Sequence, residues 1–72
     1  MVLLAPGEYG FDVQDFFWRV RPPGVGHSVR IPHHSVVEHP DGTISVEPSI
    51  RIRMGQVEVW HGFLVCGEWR EC

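Results

Sequence analysis

The chain has 72 residues, 43% of them hydrophobic, and a formal net charge of −3 at pH 7. At this length a domain buries only about 60% of the surface that its unfolded chain exposes, so the core must be thin. The acidic balance gives no basis for binding duplex nucleic acid, and no apolar run approaches the ~20 residues of a membrane-spanning helix. We therefore expect one domain over residues 1–72, without a signal peptide, located in the cytoplasm and away from the membrane.

The first third of the chain predicts strands, with a helix as the alternative. Residues 9–13 and 15–21 are rich in aromatic and β-branched side chains, which favour strands. In the second strand, Phe16, Trp18 and Val20 would share one face. The alternative is a short helix near residues 12–18, because an aspartate could cap apolar residues that follow at i, i+3, i+4 spacing.

The middle of the chain predicts three short strands and a tight turn. The strands are His27–Ile31, Ser35–Glu38 and Thr43–Glu47. Pro40, Asp41 and Gly42 are typical turn residues, so the last two strands should form a hairpin. Alternation in the third strand predicts that Ile44 and Val46 are buried.

The last third predicts further strands, separated from the preceding one by Pro48. They are Ile50–Met54, Val57–Val65 and Glu68–Arg70. In the first of these the isoleucines should face inward and the arginines outward. The long strand has an inward apolar row with His61 within it: Val57, Val59, Phe63 and Val65. The whole pattern predicts an all-β, mainly antiparallel domain of about five to seven short strands, arranged as a single sheet, a barrel or a sandwich.

Five histidines raise the question of a metal site. Structural zinc takes four nitrogen or sulfur ligands, usually in paired short spacings, and this chain has no such pair. A set of His27, one of His33 and His34, His61 and Cys66 is conceivable. The favoured interpretation is that the histidines lie on the surface and in turns, with His61 hydrogen-bonded at the edge of the core. We therefore expect no metal and no other cofactor.

All six basic residues are arginines, which suit carboxylates and phosphates. An arginine and tryptophan surface could bind a phosphate-bearing ligand, with the aromatic ring stacking on a base. The candidate ligand-binding residues are Arg51, Arg53, Trp60, His61, Arg19 and Arg21. The favoured alternative is a solvated face on which the arginines pair with glutamates across strands.

Nothing in the sequence predicts catalysis. No serine stands in a G-x-S-x-G elbow, and a chain this short has difficulty enclosing a dry pocket. Cys66 lies in a turn and would be reactive only if a histidine lay beside it. Cys66 and Cys72 flank the last strand, where they could close a small loop, and we expect both to be reduced.

Residues 39–69 resemble a family of small uncharacterised bacterial and phage proteins. The resemblance is carried by Pro40-Asp41-Gly42-Thr43, Pro48-Ser49-Ile50, Trp60-His61-Gly62-Phe63-Leu64 and Gly67-Glu68-Trp69. Members look like short β domains, many with an amino-terminal cysteine cluster and a Cys-His pair that suggest a zinc-ribbon-like site. This chain lacks that cluster and has Trp60 in place of the cysteine, so His61 alone matches a ligand position.

Together these features predict a non-enzymatic binding module, encoded by a phage or another mobile element. We expect it to self-associate or to bind a protein partner through edge strands and exposed aromatic residues, because the core is thin and aromatic residues are numerous. The alternatives are a binder of a small phosphate-bearing ligand and a degenerate zinc domain centred on His61.

Overall fold

The structure, a computed structural model, describes residues 3–72 and builds them from antiparallel strands. In chain order these are β1 (Tyr9–Asp12), β2 (Phe17–Val20), β3 (Val29–Arg30), β4 (Ser35–Glu38), β5 (Ile44–Met54), β6 (Val57–Val65) and β7 (Glu68–Glu71). The predicted all-β, antiparallel class is confirmed. No helix long and apolar enough to cross a bilayer occurs in the described residues.

The chain separates into two compact units, Met1–His33 and His34–Cys72. The first unit contains a three-stranded sheet in the order β1-β2-β3, and the second a four-stranded sheet in the order β4-β5-β6-β7. In such a meander each strand pairs with the next one along the chain, so successive turns alternate between the two ends of the sheet. The single domain stays a prediction.

A four-residue turn joins β1 to β2, where a helix was the alternative prediction. Asp12 does bind the amides that follow it: its Oδ1 accepts a hydrogen bond from the Gln14 N–H at 3.0 Å. The helix near residues 12–18 is nevertheless wrong, because Phe16 adopts a φ of 58° and the chain returns to a strand after one turn. Phe16 is also 76% exposed and precedes β2, so it does not share a face with the buried Val20 as predicted.

Asp12 is a buried charged residue that fastens the first sheet, with only 1% of its surface exposed. Its Oδ2 accepts a hydrogen bond from Arg19 Nε at 3.0 Å, and Arg19 Nη2 also donates to Asp15. Burial acts to raise the pKa of Asp12. The hydrogen bonds from Gln14, Arg19 and Asp15 outweigh burial and hold that pKa below its ordinary value.

The predicted hairpin of β4 and β5 is confirmed. The strands pair antiparallel, and the turn between them is closed by a hydrogen bond from the Gly42 N–H to the His39 carbonyl at 3.0 Å. The Asp41 carboxylate accepts hydrogen bonds from the hydroxyl and the amide of Thr43, which hold the pKa of Asp41 below its ordinary value. Asp41 thereby rigidifies the turn that begins at His39.

Pro48 lies inside β5, which corrects the prediction that it separates two strands. Val46 pairs with Leu64 and Ile50 pairs with Gly62, so the three residues 47–49 stand against one residue of β6. This is a bulge, the position at which a strand tolerates a residue without an N–H donor. The Glu47–Pro48 peptide bond is cis. On both sides of the bulge the predicted burial holds, because the four isoleucine and valine side chains are buried: Ile44, Val46, Ile50 and Ile52.

The long strand β6 has the predicted bounds, but the opposite face is buried. Trp60, Gly62 and Leu64 face the core, and the predicted inward row is turned away from it. Gly62 permits this packing, because a Cβ at this position would lie 2.6 Å from the Trp60 ring and 2.8 Å from the Cα of Glu71. Trp60 in turn packs edge-on against Trp69, with ring centroids 5.4 Å apart.

Candidate functional site

Both sides of β6 are apolar, the exposed side as well as the buried one. Its residues alternate with the buried Trp60 and Leu64, and we call them the β6 face: Val59, His61, Phe63 and Val65. Val59 is 41% exposed and Phe63 is 43% exposed. Met54 and Val57, which pair where β5 meets β6, are exposed apolar side chains as well. A strand that is apolar on both faces is typical of a strand covered on both sides.

The border of the β6 face carries equal numbers of positive and negative side chains. Cross-strand pairing and alternation place three arginines and three glutamates on this side of the sheet: Arg51, Arg53, Arg70, Glu47, Glu58 and Glu68. Arg51 Nε lies 2.8 Å from Glu58 Oε1, and Arg70 Nε lies 3.5 Å from Glu68 Oε1. The six formal charges sum to zero, whereas the whole chain carries −3.

The structure does not assemble the predicted arginine and tryptophan site in the second unit. Trp60 is 5% exposed, so its ring offers no stacking platform to a ligand. Arg51 is paired with Glu58, as the favoured alternative expected. Arg53 is exposed, and within residues 3–72 it makes no ion pair.

Arg19 and Arg21 belong to the first unit and serve its own structure. Arg19 binds Asp12 and Asp15. Arg21 donates from Nε to the Val25 carbonyl at 2.7 Å and from Nη1 to the Leu4 carbonyl at 2.9 Å. Arg19 also borders a hollow of about 620 Å³ in this unit, but its charge is already matched by two carboxylates.

The histidines are dispersed, and the described residues contain no group of three or more His, Cys, Asp or Glu side chains that could hold a metal ion. His61 does not face the core side of β6 as predicted. Its Nε2 is hydrogen-bonded to Ser49 Oγ at 3.0 Å, and His34 Nε2 donates to the Ser49 carbonyl at 3.1 Å. Both rings thus hold the bulge of β5. The alternative of a degenerate zinc domain stays a prediction, and residues 3–72 offer no ligand set for it.

A cluster of Cys66, His39 and Ser45, here the Cys66 cluster, lies at one end of the four-stranded sheet. The Cys66 Sγ is 3.7 Å from His39 Nε2 and 3.8 Å from Ser45 Oγ. Ser45 Oγ is also 2.7 Å from His39 Nε2 and accepts a hydrogen bond from the Cys66 N–H at 2.9 Å. Cys66 is exposed, and its φ of 49° places it in a left-handed turn. The histidine neighbour that a reactive cysteine requires is therefore present.

Sequence reasoning missed His39 and Ser45 as partners of Cys66, because the three residues are far apart in the chain. The meander brings them together: the β4–β5 turn and the β6–β7 turn lie at the same end of the sheet. A hydrogen bond from the Gly67 N–H to the Ile44 carbonyl, 2.9 Å long, fixes this contact. Once the strand order is assumed, the outward position of Ser45 in its alternating strand is the signal that could have found the cluster.

An open groove of about 670 Å³ begins at Ser45 and follows the bulge of β5. Pro48, Ser49 and Phe63 are among its lining residues, and Glu47 is the charged residue among them. The groove therefore joins the Cys66 cluster to the β6 face.

Comparison of the chain with protein-family models, with curated proteins and with solved structures finds no match. The resemblance of residues 39–69 to the phage and bacterial family stays a prediction.

Proposed function

We propose that this protein is a small binding module that associates with a second copy of itself through the β6 face. The observation that carries the proposal is the composition of β6, which is apolar on both sides while only one side is buried. Covering exposed apolar surface is the main favourable term in protein association, and a coherent apolar patch is typical of an interaction site.

The charges around the face support a second copy as the partner. In a twofold interface the same patch meets itself, so a patch of one sign would repel its copy. The border of the β6 face has three positive and three negative side chains, which are Arg51, Arg53, Arg70, Glu47, Glu58 and Glu68. Because the chain as a whole is acidic, two copies meet with less electrostatic repulsion through this balanced side than through a side that carries net negative charge.

Sedimentation velocity over a concentration series tests this function. We expect a reversible dimer that Phe63→Thr weakens, because threonine keeps the strand preference and removes the exposed ring. Phe63 is 43% exposed. Covering that fraction in both copies is worth about 2 kcal/mol, which corresponds to about a 30-fold increase in the dimer Kd.

Val13→Ser is the matched control, since Val13 is 70% exposed in the β1–β2 turn of the first unit. It should leave the dimer Kd unchanged within about twofold, a free-energy difference of about 0.4 kcal/mol. A protein that stays monomeric up to millimolar concentration, or a dimer that is weakened equally by both substitutions, contradicts the proposal.

A further inference from the structure

We propose that Cys66 is a nucleophilic thiol that exchanges with small amine-bearing disulfides, with His39 as its proton acceptor and Ser45 as a hydrogen-bond donor to the thiolate. The proposal rests on the geometry of the Cys66 cluster and on the groove beside it. The exchange does not require self-association, but the groove shares Phe63 and Glu47 with the β6 face and its border, so the reaction is measured on the monomer.

The three side chains can hold both protonation states of the thiol. With the thiol neutral, His39 Nε2 is an acceptor for the S–H proton across 3.7 Å. With the proton on His39, the imidazolium N–H and the Ser45 hydroxyl both lie within 4 Å of the sulfur and can donate to it. A hydroxyl that is already hydrogen-bonded to the imidazole at 2.7 Å can reorient between these two arrangements. Such a neighbour is what turns an ordinary cysteine into a nucleophile.

The reaction is a thiol–disulfide exchange and needs no other oxidant. The Cys66 Sγ passes its proton to His39 Nε2 and attacks one sulfur of the disulfide. A new bond forms between the Cys66 Sγ and that sulfur while the original S–S bond breaks, and the departing thiolate takes up the proton from His39. Exchange requires an exposed sulfur and one proton acceptor, and the Cys66 cluster has both. It does not require a pocket that excludes water.

The product should persist as a mixed disulfide, because Cys72 cannot resolve it within the same chain. Cys66 and Cys72 stand at opposite ends of β7, with Val65 paired to Glu68 and Gly62 paired to Glu71 between them. From Glu68 to Glu71 the strand alone rises about 10 Å, whereas a disulfide needs Cα atoms about 5.5–6 Å apart. Both cysteines are accordingly free in the structure.

The groove indicates the chemistry of the group that becomes attached. It begins at Ser45, beside the Cys66 sulfur, and the charged residue along its lining is Glu47. A short aliphatic chain ending in an ammonium group suits such a groove, since its methylenes can lie on Pro48 and Phe63 while the ammonium approaches the carboxylate. An anionic disulfide of the same length lacks this attraction and meets Glu47 with a like charge.

Exchange kinetics with two matched disulfides test the proposal. Cystamine carries two ammonium groups, and dithiodipropionate is of similar length with two carboxylates. In the Cys72→Ser protein, we expect Cys66 to react with cystamine about tenfold faster than in the same protein unfolded in urea. His39→Gln in this background should remove most of that acceleration. Intact-mass measurement should show one cysteamine attached.

The role of the groove is measured by the preference between the two disulfides. Normalised to the unfolded chain, cystamine should be preferred over dithiodipropionate by about two- to fivefold, the range expected for one exposed charge pair. Glu47→Gln should abolish this preference.

Three results would overturn the inference. The first is that Cys66 reacts no faster in the folded than in the unfolded protein. The second is that His39→Gln leaves the reaction rate unchanged. The third is that Cys72 in the Cys66→Ser protein reacts as fast as Cys66 in the Cys72→Ser protein. If His39→Gln fails to fold by circular dichroism, Ser45→Ala supplies the second variant, and the ratio of folded to unfolded rates in the parent protein still decides the outcome.

Discussion

Each of the two sheets is stabilised internally by a different kind of interaction. In the first unit, short strands are fastened by a polar clamp, in which buried Asp12 binds two turn amides and Arg19. In the second unit, β5 and β6 are long, and their inward positions are filled by aliphatic side chains and Trp60. The contrast teaches that alternating apolar residues stabilise the long strands β5 and β6, whereas side-chain hydrogen bonds fix the turn that joins the short strands β1 and β2.

The same contrast locates the surfaces available for function. Arg19 and Arg21 of the first unit are bound within that unit. The second unit fills its buried face and still leaves the β6 face and the Cys66 cluster exposed. The surfaces available for self-association and for thiol exchange therefore both lie in the second unit, which depends on close packing, whereas the first unit depends on its polar clamp.

The largest effect is expected from Gly62→Ala, which tests the close packing of the second unit. An added methyl group would overlap the backbone at Arg70 and Glu71 and the ring of Trp60. We expect the free energy of unfolding to fall by about 3 kcal/mol, at the upper end for overpacking. Urea unfolding followed by tryptophan fluorescence measures it.

Gly26→Ala is the matched control for this substitution, because a Cβ at Gly26 meets no atom within 4 Å. It should change the stability by no more than about 1 kcal/mol in either direction. Equal effects of the two substitutions would show that close packing at Gly62 does not distinguish the second unit.

An intermediate effect is expected from acid, which tests the polar clamp. The pKa of Asp12 is lowered in the folded protein, so its contribution to stability is complete above the unfolded-state value of about 4 and is lost as the pH falls through the folded value. Asp12→Asn cannot titrate. We expect it to lower the thermal midpoint by several degrees at pH 7, and we expect the gap to the parent protein to narrow progressively below about pH 4.

The control for the clamp is Asp15→Asn, because Asp15 is an exposed partner of the same arginine. Its effect on the midpoint should be smaller at every pH. If the gap between the parent protein and Asp12→Asn is the same at pH 7 and at pH 2, the clamp does not depend on the charge of Asp12.

The smallest effect is expected from the Arg51–Glu58 pair on the exposed side of β5 and β6. The two side chains are 53% and 44% exposed. A double-mutant cycle with alanine should give a coupling energy of about 0.5 kcal/mol or less, because solvent and salt screen such pairs. A coupling above about 1.5 kcal/mol would mean that the second unit also depends on a polar clamp, which would erase the contrast between the units.

Much of the second unit could be predicted from its sequence. The Asp41-Gly42 turn, the bounds of β4 and β6 and the burial of Ile44 and Ile52 all follow from turn residues and alternation, which are local properties. The first unit was harder to predict, since Asp12 caps a helix and a turn equally well. The φ of 58° at Phe16, which ends the turn, has no signal in its side chain.

The sequence alone determined the all-β class, most strand positions and the alternation of β6, because these depend on neighbours in the chain. Only the tertiary structure decided which face of β6 is buried, since both faces are apolar and the choice depends on Gly62 admitting the Trp60 ring. It also decided that Cys66 has a histidine beside it. His39 and Cys66 are 27 residues apart, and only the order of strands in the sheet brings their turns to the same end.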